Sequence, residues 1–476
     1  MATPKEFKRE FLKALDEGNA AIFAGAGLSK SSGFVNWSEL LQNIAEDIGL
    51  DVSKEHDLVA LAQYYYNEKG QNRSAITRQI IEEFTKETDY NENLRILTSL
   101  PIKTYWTTNY DKLIENSLDD IRRKPDVKIT ESNLAQNTPG RDAVVYKMHG
   151  DVGTPENAVI IKDDYEAYNF ERQLFSTNLQ GDLISKTFLF IGFSFEDPNL
   201  SYILSRIRVL LGSNKRDHYC FFKKVQRENY SNDEDFLYDQ VKQKLKINDL
   251  QRYSINAVLV NGYDEITMIL QQIENSHKLN NIFISGSAVE YGGFTKKAAQ
   301  TFIYSLAKQL VTDNYKITSG FGEGVGDLVI NGSLTGVFGS RYKKVNDLLV
   351  LKPFPQFVQD GENKEKLWTQ YREDIINDVG IVIFMFGNIE NSTEKKSIEY
   401  AAGMMEEFEI AKRFNKLVIP IGSTGYVAKE IFDEITKEID KYGYLKDSLS
   451  VLEKEKDTTL LIREIKKIIK KIRDTV

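Results

Sequence analysis

The chain has 476 residues, with 62 lysine and arginine residues against 70 aspartate and glutamate residues, and a formal net charge of -8. This length predicts two or three domains, and the mild acidity argues against nucleic acid or an anionic membrane as a partner. A single cysteine and four histidines, none in an HExxH spacing, predict no disulfide and no metal site. The N-terminal segment lacks an apolar signal-peptide core and no apolar run reaches about 18 residues, so we expect a cytoplasmic protein.

Short β-rich segments alternate with helical patterns along the chain, which is typical of α/β folds. We expect two domains, residues 1–276 and 277–476. Strands of the first domain are predicted at Ala20–Ala24, Ile102–Thr107, Ala143–Met148, Thr187–Ile191, Tyr219–Lys223 and Ala257–Val260. Strands of the second domain are predicted at Ile282–Ser285, Tyr315–Thr318, Gly380–Phe386 and Leu417–Ile421.

Two other segments have helical patterns. The segment Trp37–Leu100 is longer than one crossover helix requires, so we expect it to form a helical layer or lid over the first sheet. The basic amphipathic tail Thr458–Val476 is expected to pack its apolar face on its own domain. Binding of this helix to a membrane or a partner is the alternative.

The first candidate motif follows the strand Ala20–Ala24, where Gly25, Ala26 and Gly27 precede the hydroxyl of Ser29. Glycines allow backbone N–H groups to approach a pyrophosphate, and the N-terminus of the following helix adds partial positive charge. A plain tight turn explains the same residues equally well.

Three further motifs follow strand ends in chain order. Asn109 can hold a ribose hydroxyl or a water, and Asp111 can accept a hydrogen bond from a carboxamide, although an Asx-turn is the alternative. His149, at the end of a strand, is placed to act as a general base near neutral pH. Gly192 and Ser194 can contact a ribose or a phosphate, with a helix cap as the alternative.

The order of these four motifs resembles the NAD-binding domain of the sirtuin (SIR2) family, across residues 5–275. The resemblance implies that Asn109 and His149 are the catalytic pair and that Asp111 meets the nicotinamide carboxamide. It also implies NAD+-binding residues at Gly25, Ala26, Gly27, Ser29, Gly192 and Ser194. Deacylases of that family carry a four-cysteine zinc module, which this chain cannot build. We therefore expect hydrolysis of NAD+ itself without a metal, with an NAD-dependent protein deacylase as the alternative.

The second domain carries another strand that ends in small residues, Asn281–Ala288, and a loop with glycines at alternate positions, Ile317–Gly326. Such loops can seat phosphates on backbone N–H groups. These segments resemble the SLOG family of Rossmann-like nucleotide sensors. We therefore expect two Rossmann-like, doubly wound parallel-sheet domains, the first SIR2-like with a helical insertion and the second SLOG-like.

A SIR2 domain followed by a SLOG domain resembles the NAD-hydrolysing effectors of the Thoeris anti-phage defence system. The resemblance implies activation by a cyclic ADP-ribose isomer, made by a partner with a TIR domain, and a homo-oligomer, at least a tetramer. The implied signal-binding residues are Gly286, Ser287, Phe321, Gly322, Arg372 and Glu407, with Phe321 as a wall for adenine. Ile389 stands where a phosphate-binding lysine is expected. A nucleotide receptor without turnover is the second alternative.

Overall fold

The computed structural model describes residues 1–195, 197–211, 216–355, 363–391 and 397–475. The chain divides into two compact units, Met1–Glu274 and Asn275–Val476. Each unit has a parallel β-sheet that packs against helices, which confirms the predicted fold class. In the described part of the chain, no helix combines the length and the apolar character needed to cross a lipid bilayer.

Within the described residues, the first unit contains a seven-stranded parallel sheet. Its strands are β1 Ala20–Ala24, β2 Thr104–Thr107, β3 Pro125–Lys128, β4 Ala143–Lys147, β5 Thr187–Ile191, β6 His218–Lys223 and β7 Ile255–Val260. Their order across the sheet is β3-β4-β2-β1-β5-β6-β7. Alternate residues of β1 enter different hydrophobic clusters, with Ile22 in one and Phe23 in the other. Burial of both faces explains why this strand is a continuous apolar run.

The helices of the first unit begin with α1 and continue to α13, which extends past the division between the units. They are α1 Pro4–Asp16, α2 Ala26–Lys30, α3 Trp37–Asp47, α4 Leu58–Glu68, α5 Ser74–Phe84, α6 Glu92–Ser99, α7 Leu113–Asp120, α8 Glu131–Leu134, α9 Lys162–Glu171, α10 Gln173–Ser185, α11 Pro198–Leu211, α12 Asp233–Gln251 and α13 Tyr263–Lys278. Helices α3, α4 and α5 share a hydrophobic cluster with Tyr110 and Ile160, which follow strands β2 and β4. The predicted helical layer is therefore present at the carboxyl edge of the sheet.

The second unit is built around a five-stranded parallel sheet in its described part, with the order β10-β9-β8-β11-β14. Its strands are β8 Asn281–Ser287, β9 Lys316–Ser319, β10 Leu349–Leu351, β11 Ile381–Phe386 and β14 Leu417–Pro420, beside an antiparallel pair β12 Asn388–Glu390 and β13 Ile398–Tyr400. Its helices are α14 Lys296–Thr312, α15 Gly326–Phe338, α16 Val345–Leu348, α17 Lys364–Asn377, α18 Ala402–Arg413, α19 Tyr426–Lys437, α20 Leu449–Lys454 and α21 Thr458–Thr475.

The sequence patterns missed the strands β3, β10, β12 and β13. Each of them has only three or four residues, and β3 and β10 lie at sheet edges, where a continuous apolar run is not required. The prediction for the tail is confirmed, because Leu461, Ile465 and Ile469 of α21 are buried in the core of the second unit. The apolar face of this helix is therefore already covered by its own unit.

Both sheets reverse their strand order beside their first strand. In the first unit β1 lies between β2 and β5, and in the second unit β8 lies between β9 and β11. Open α/β sheets bind ligands outside the carboxyl ends of their strands at such a switch point. The predicted motifs of the first unit follow β1, β2, β4 and β5, and two segments predicted in the second unit lie at the ends of β8 and β9.

Candidate functional site

The glycines of the first motif pack against the backbone that follows β5. Gly25 N–H donates a hydrogen bond to the carbonyl of Ile191 at 2.9 Å, and Gly27 N–H donates to that of Gly192 at 2.8 Å. A Cβ atom on Gly25 would lie 2.4 Å from the Gly192 oxygen, and one on Gly192, where φ is +64°, would lie 2.1 Å from the nitrogen of Leu28. Close backbone packing therefore requires these glycines, and their contact with a nucleotide stays a prediction.

Ser29, Asn109 and Asp111 form one hydrogen-bonded cluster. Asn109 Nδ2 donates to Ser29 Oγ at 2.9 Å, and Ser29 Oγ donates to Asp111 Oδ2 at 2.7 Å. The Asn109 backbone is held by Thr107 Oγ1, which accepts from Asn109 N at 2.9 Å and donates to the Ala24 carbonyl at 3.0 Å. The fold thus joins two predicted motifs that are far apart in the sequence.

A narrow cleft of about 20 Å³ opens beside this cluster. The cleft is lined by Ala26, Ser29, Asn109 and Asp111, which follow strands β1 and β2, by Val35, and by Trp37, Leu40 and Phe84 of the helical layer. This volume admits about one water molecule, whereas ligand pockets usually enclose roughly 300–1,000 Å³. The cleft in this state is therefore too small for a dinucleotide.

His149 lies in a separate buried environment, with 1% of its surface exposed. Its Nε2 atom is 3.2 Å from Asp197 Oδ2, and its ring packs edge-on against Tyr165 and Tyr168 at centroid distances of 5.4 and 6.1 Å. Neither ring nitrogen makes a hydrogen bond to another described residue. Burial lowers the pKa of His149, and the charge of Asp197 partly opposes this effect. Burial therefore favours the neutral form of the imidazole, which is the form that can accept a proton.

Two hydrogen bonds connect this environment to the loop that carries Asn109. The hydroxyl of Tyr110, the residue after Asn109, donates to the Val159 carbonyl at 2.8 Å, and Val159 N–H donates to the His149 carbonyl at 2.9 Å. On the cleft side, the rings of Trp37 and Tyr165 are 6.5 Å apart. Tyr165 therefore contacts both the ring of His149 and that of Trp37, which lines the cleft.

Asp197, the partner of His149, was not among the predicted site residues. Its Oδ1 atom accepts a hydrogen bond from Leu200 N–H at 2.9 Å near the start of α11. The other carboxylate oxygen faces the histidine. Gly192 and Ser194, from the same loop, were predicted to bind NAD+, and both are exposed.

In the second unit, Arg372 of α17 lies between carboxylates and aromatic rings. Its Nη1 atom is 2.7 Å from Glu406 Oε2, and its Nε atom is 3.7 Å from Glu407 Oε1. The guanidinium carbon is 5.1 Å from the ring centroid of Phe354 and 5.8 Å from that of Trp368. Arg372 was predicted from the sequence, whereas these two aromatic residues were not.

Glu407 of α18 connects Arg372 to strand β8. Its carboxylate accepts a hydrogen bond from Ser285 Oγ at 2.6 Å. Burial raises the pKa of Glu407 to about 7, although Ser285 and Arg372 act in the opposite direction. This carboxyl group therefore changes its charge near physiological pH.

The small residues at the end of β8 meet the glycine loop after β9. A Cβ atom on Gly322 would lie 1.9 Å from the Gly286 carbonyl oxygen, so these backbones are in direct contact. The buried hydroxyl of Ser287 has no hydrogen-bond partner in the described part of the chain, and it shares a face of β8 with Ser285. Phe321, the predicted adenine wall, is 45% exposed. Ile389 packs against the hydrophobic core.

No group of three or more histidine, cysteine, aspartate or glutamate side chains that could hold a metal ion occurs among the residues that the structure describes. The candidate sites are thus composed of amide, carboxylate, imidazole, hydroxyl and guanidinium groups.

The sequence matches known families in both units. Residues 103–245 match the model of the SIR2-like domain, and residues 265–472 match that of the Sir2- and TIR-associating SLOG family. The chain is 52% identical over 451 residues to the NAD(+) hydrolase ThsA of Cytobacillus dafuensis. The matched residues are 93% of this chain and 90% of that protein.

Two further relatives cover different shares of the chain. The NAD(+) hydrolase ThsA of Acinetobacter baumannii (strain 532279) is 46% identical over 469 residues, which are 98% of this chain and 97% of that protein. Defense-associated sirtuin 2 of Bacillus subtilis is 27% identical over 209 residues, or 42% of this chain and 20% of that protein. The chain belongs to the ThsA family of NAD(+) hydrolases.

Proposed function

We propose that this chain is an NAD+ glycohydrolase that cleaves NAD+ to nicotinamide and ADP-ribose, with water as the acceptor. The observation that carries the proposal is the hydrogen-bonded cluster of Ser29, Asn109 and Asp111 beside the switch point of the first sheet. The two NAD(+) hydrolases that match more than nine-tenths of the chain support the same activity. Cytoplasmic NAD+ is the substrate pool.

In the proposed reaction, the bond between C1′ of the ribose and the nicotinamide nitrogen breaks. Its electron pair moves to the positively charged pyridinium, so nicotinamide leaves as a neutral molecule and no metal is required. Asp111 accepts a hydrogen bond from the carboxamide, and Asn109 holds a ribose hydroxyl or the attacking water. Fixing the reacting groups in this way lowers the entropic part of the barrier.

His149 acts as the general base in this proposal. A new bond forms between the water oxygen and C1′, and the proton of the water, or of a ribose hydroxyl, passes to the imidazole. Burial keeps His149 neutral before the step, and the carboxylate of Asp197 stabilises the imidazolium after it. A positioned base of this kind contributes about 10²–10⁴-fold to a rate.

The second unit binds the activating signal, a cyclic ADP-ribose isomer that a TIR-domain partner produces. Arg372 supplies a fork of donors for a pyrophosphate. Ser287 supplies a hydroxyl without a hydrogen bond in the described residues, and Gly286 and Gly322 supply half-buried, closely packed backbone. The family description, which names association with Sir2 and TIR domains, supports this assignment.

Binding of the signal widens the catalytic cleft within a homo-oligomer of four or more chains. The closed cleft beside Asn109 supports a requirement for activation, because a dinucleotide does not fit about 20 Å³. The signal acts only if it binds the active state more tightly than the resting one. Depletion of NAD+ then halts a phage-infected cell, in keeping with the defence-related name of one relative.

The first experiment measures nicotinamide release from NAD+ by the purified protein, with and without a cyclic ADP-ribose isomer. His149→Ala should abolish release, whereas His56→Ala, at an exposed histidine of the same unit, should leave it unchanged. Formation of acetyl-ADP-ribose from an acetylated peptide would support a deacylase instead. No turnover with any signal would support a nucleotide receptor.

The second experiment separates sensing from catalysis. Arg372→Ala should remove the response to the signal while the activity without signal is retained. Arg413→Ala is the matched control, because Arg413 is mostly exposed on α18 and pairs with Glu373. A normal response in Arg372→Ala would contradict the proposed signal site.

A further inference from the structure

Lys147, the last residue of β4, has a side chain that is fully buried. Its Nζ atom donates hydrogen bonds to the carbonyl of Asp111 and to Asp151 Oδ2, and it lies 3.3 Å from the carbonyl of Tyr110. Glu115 Oε1 is 3.1 Å away. Burial alone would lower the pKa of Lys147, but Glu115 and Asp151 outweigh burial and raise it. The ammonium group is therefore charged and surrounded by acceptors.

Glu115 belongs to helix α7, whereas the hydrogen-bond acceptors of Lys147 belong to two different loops. The carbonyls of Tyr110 and Asp111 follow Asn109 directly in the loop after β2. Asp151 lies two residues after His149 in the loop after β4, and its Oδ1 atom accepts from Gly153 N–H at 2.7 Å. The Lys147 ammonium group thus links the loop that carries Asn109 to the loop that carries His149.

We propose that Lys147 is a positioning residue for NAD+ hydrolysis, which sets the distance between the loop that carries Asn109 and the loop that carries His149. This inference rests on the proposed function, because it assigns catalysis to those two side chains. Lys147 acts through the backbone of one loop and the Asp151 carboxylate of the other. Small displacements between catalytic groups reduce rates strongly, so a link of this kind affects kcat before it affects substrate binding.

A role in stability alone is the competing explanation, since a buried charge without partners destabilises any fold. The chain contains a matched control in Lys128, the last residue of the neighbouring strand β3. Lys128 is 3% exposed and pairs with Asp126 at 2.8 Å, and its Nζ atom also donates to the carbonyl of Gln136. Like Lys147, Lys128 is buried and forms an ion pair. Unlike Lys147, it does not connect the loop that carries Asn109 to the loop that carries His149.

The test compares Lys147→Met with Lys128→Met in the full-length protein. Both should lower the melting temperature. Below the melting range, Lys147→Met should reduce kcat for nicotinamide release by about tenfold or more with KM nearly unchanged, and Lys128→Met should not. If Lys147→Met does not fold, Asp151→Asn and its matched control Asp126→Asn replace the pair, with the same direction expected.

Amide hydrogen exchange gives a readout that does not depend on turnover. Exchange at Asn109 and Val152 should accelerate in Lys147→Met beyond any change in Lys128→Met. Equal kcat in the two variants, or equal exchange in these loops, would overturn the positioning role. If the wild-type protein releases no nicotinamide but the loop exchange still differs, the proposed function fails while the link between the loops stands.

Discussion

The two units place their candidate polar groups at the same edge of similar parallel sheets, but they satisfy these groups differently. In the first unit, Ser29, Asn109 and Asp111 bond to one another at 2.7–2.9 Å. In the second unit, the buried Nε of Arg372 and Oγ of Ser287 make no hydrogen bond to other described residues. Fixed dipoles suit a catalyst, because they need no rearrangement during the reaction. Unsatisfied donors suit a receptor, because a ligand that pairs with them stabilises one state selectively.

His149 departs from this pattern, since it is a buried polar group of the first unit without a hydrogen bond to the other described residues. Its charged neighbour Asp197 lies at 3.2 Å, and two tyrosine rings cover it. Burial lowers the pKa of His149 and favours its neutral form. The relevant difference is therefore between polar groups whose hydrogen-bond partners are fixed and polar groups that change their partner or their charge.

The largest effect is expected from Asn109→Ala, which removes the amide from the fixed cluster. We expect kcat for nicotinamide release to fall about 10²–10³-fold, because loss of one preorganised donor has effects of this size. Single-turnover kinetics with saturating NAD+ measure the change. Thermal unfolding serves as the control and should be little affected, since the Asn109 side chain is only partly buried. Retained kcat would show that the cluster is structural.

A smaller effect is expected from Asp197→Asn, which keeps a side-chain acceptor for Leu200 N–H but removes the charge that faces His149. The charge of Asp197 raises the pKa of His149 against the effect of burial, so its removal should lower this pKa further. A base works in its neutral form, and the acid limb of the kcat profile should therefore move to lower pH. The value of kcat should fall about tenfold, because the imidazolium loses its counter-charge.

The groups around His149 that contribute to this pH profile come from several elements. Besides Asp197, they are Arg172 at the start of α10, which lowers the pKa of His149, and Asp164 of α9, which raises it. Asp164→Asn should also move the acid limb of the kcat profile to lower pH, but by less than Asp197→Asn does. An unchanged acid limb in Asp197→Asn would contradict the role assigned to this carboxylate.

In the second unit, Glu407 makes stability depend on pH. Its pKa is about 7 in the folded state against 4.5 as the ordinary value, so the folded state keeps its proton to a higher pH than the unfolded chain. This contribution is complete below pH 4.5 and is lost as the pH rises through 7, with a total of about 3 kcal/mol. Glu407→Gln should therefore stabilise the second unit more at pH 8 than at pH 5. Thermal unfolding of both proteins at both pH values measures this difference.

The smallest effect is expected from Gly403→Ala. A Cβ atom there would lie 2.3 Å from Arg372 Nη2, so the guanidinium must shift within its aromatic surroundings. Because the end of a long side chain moves rather than the backbone, stability should change little. The signal concentration for half-maximal activation should rise a few-fold, with the activity without signal retained. If the response to the signal is unchanged, Arg372 does not belong to the signal site.

The sequence by itself determined the two parallel-sheet folds, most of the long strands, and the residues that now form the Asn109 cluster. These features depend on local patterns, since β1 and β11 are buried throughout and read as continuous apolar runs. Short edge strands such as β3 lack that pattern, because a strand of four residues with one face partly exposed needs no apolar run.

Only the tertiary structure decided which polar groups meet. Asp197 was not among the predicted site residues, and Lys147 lies within a predicted strand. The fold places Asp197 against His149, and Lys147 between the loop after β2 and the loop after β4. Likewise, Phe354 and Trp368 approach Arg372 only after the second sheet has formed. Such contacts join residues distant in the chain, whose distances are set by the packing of whole elements and leave no periodic signal in the local sequence.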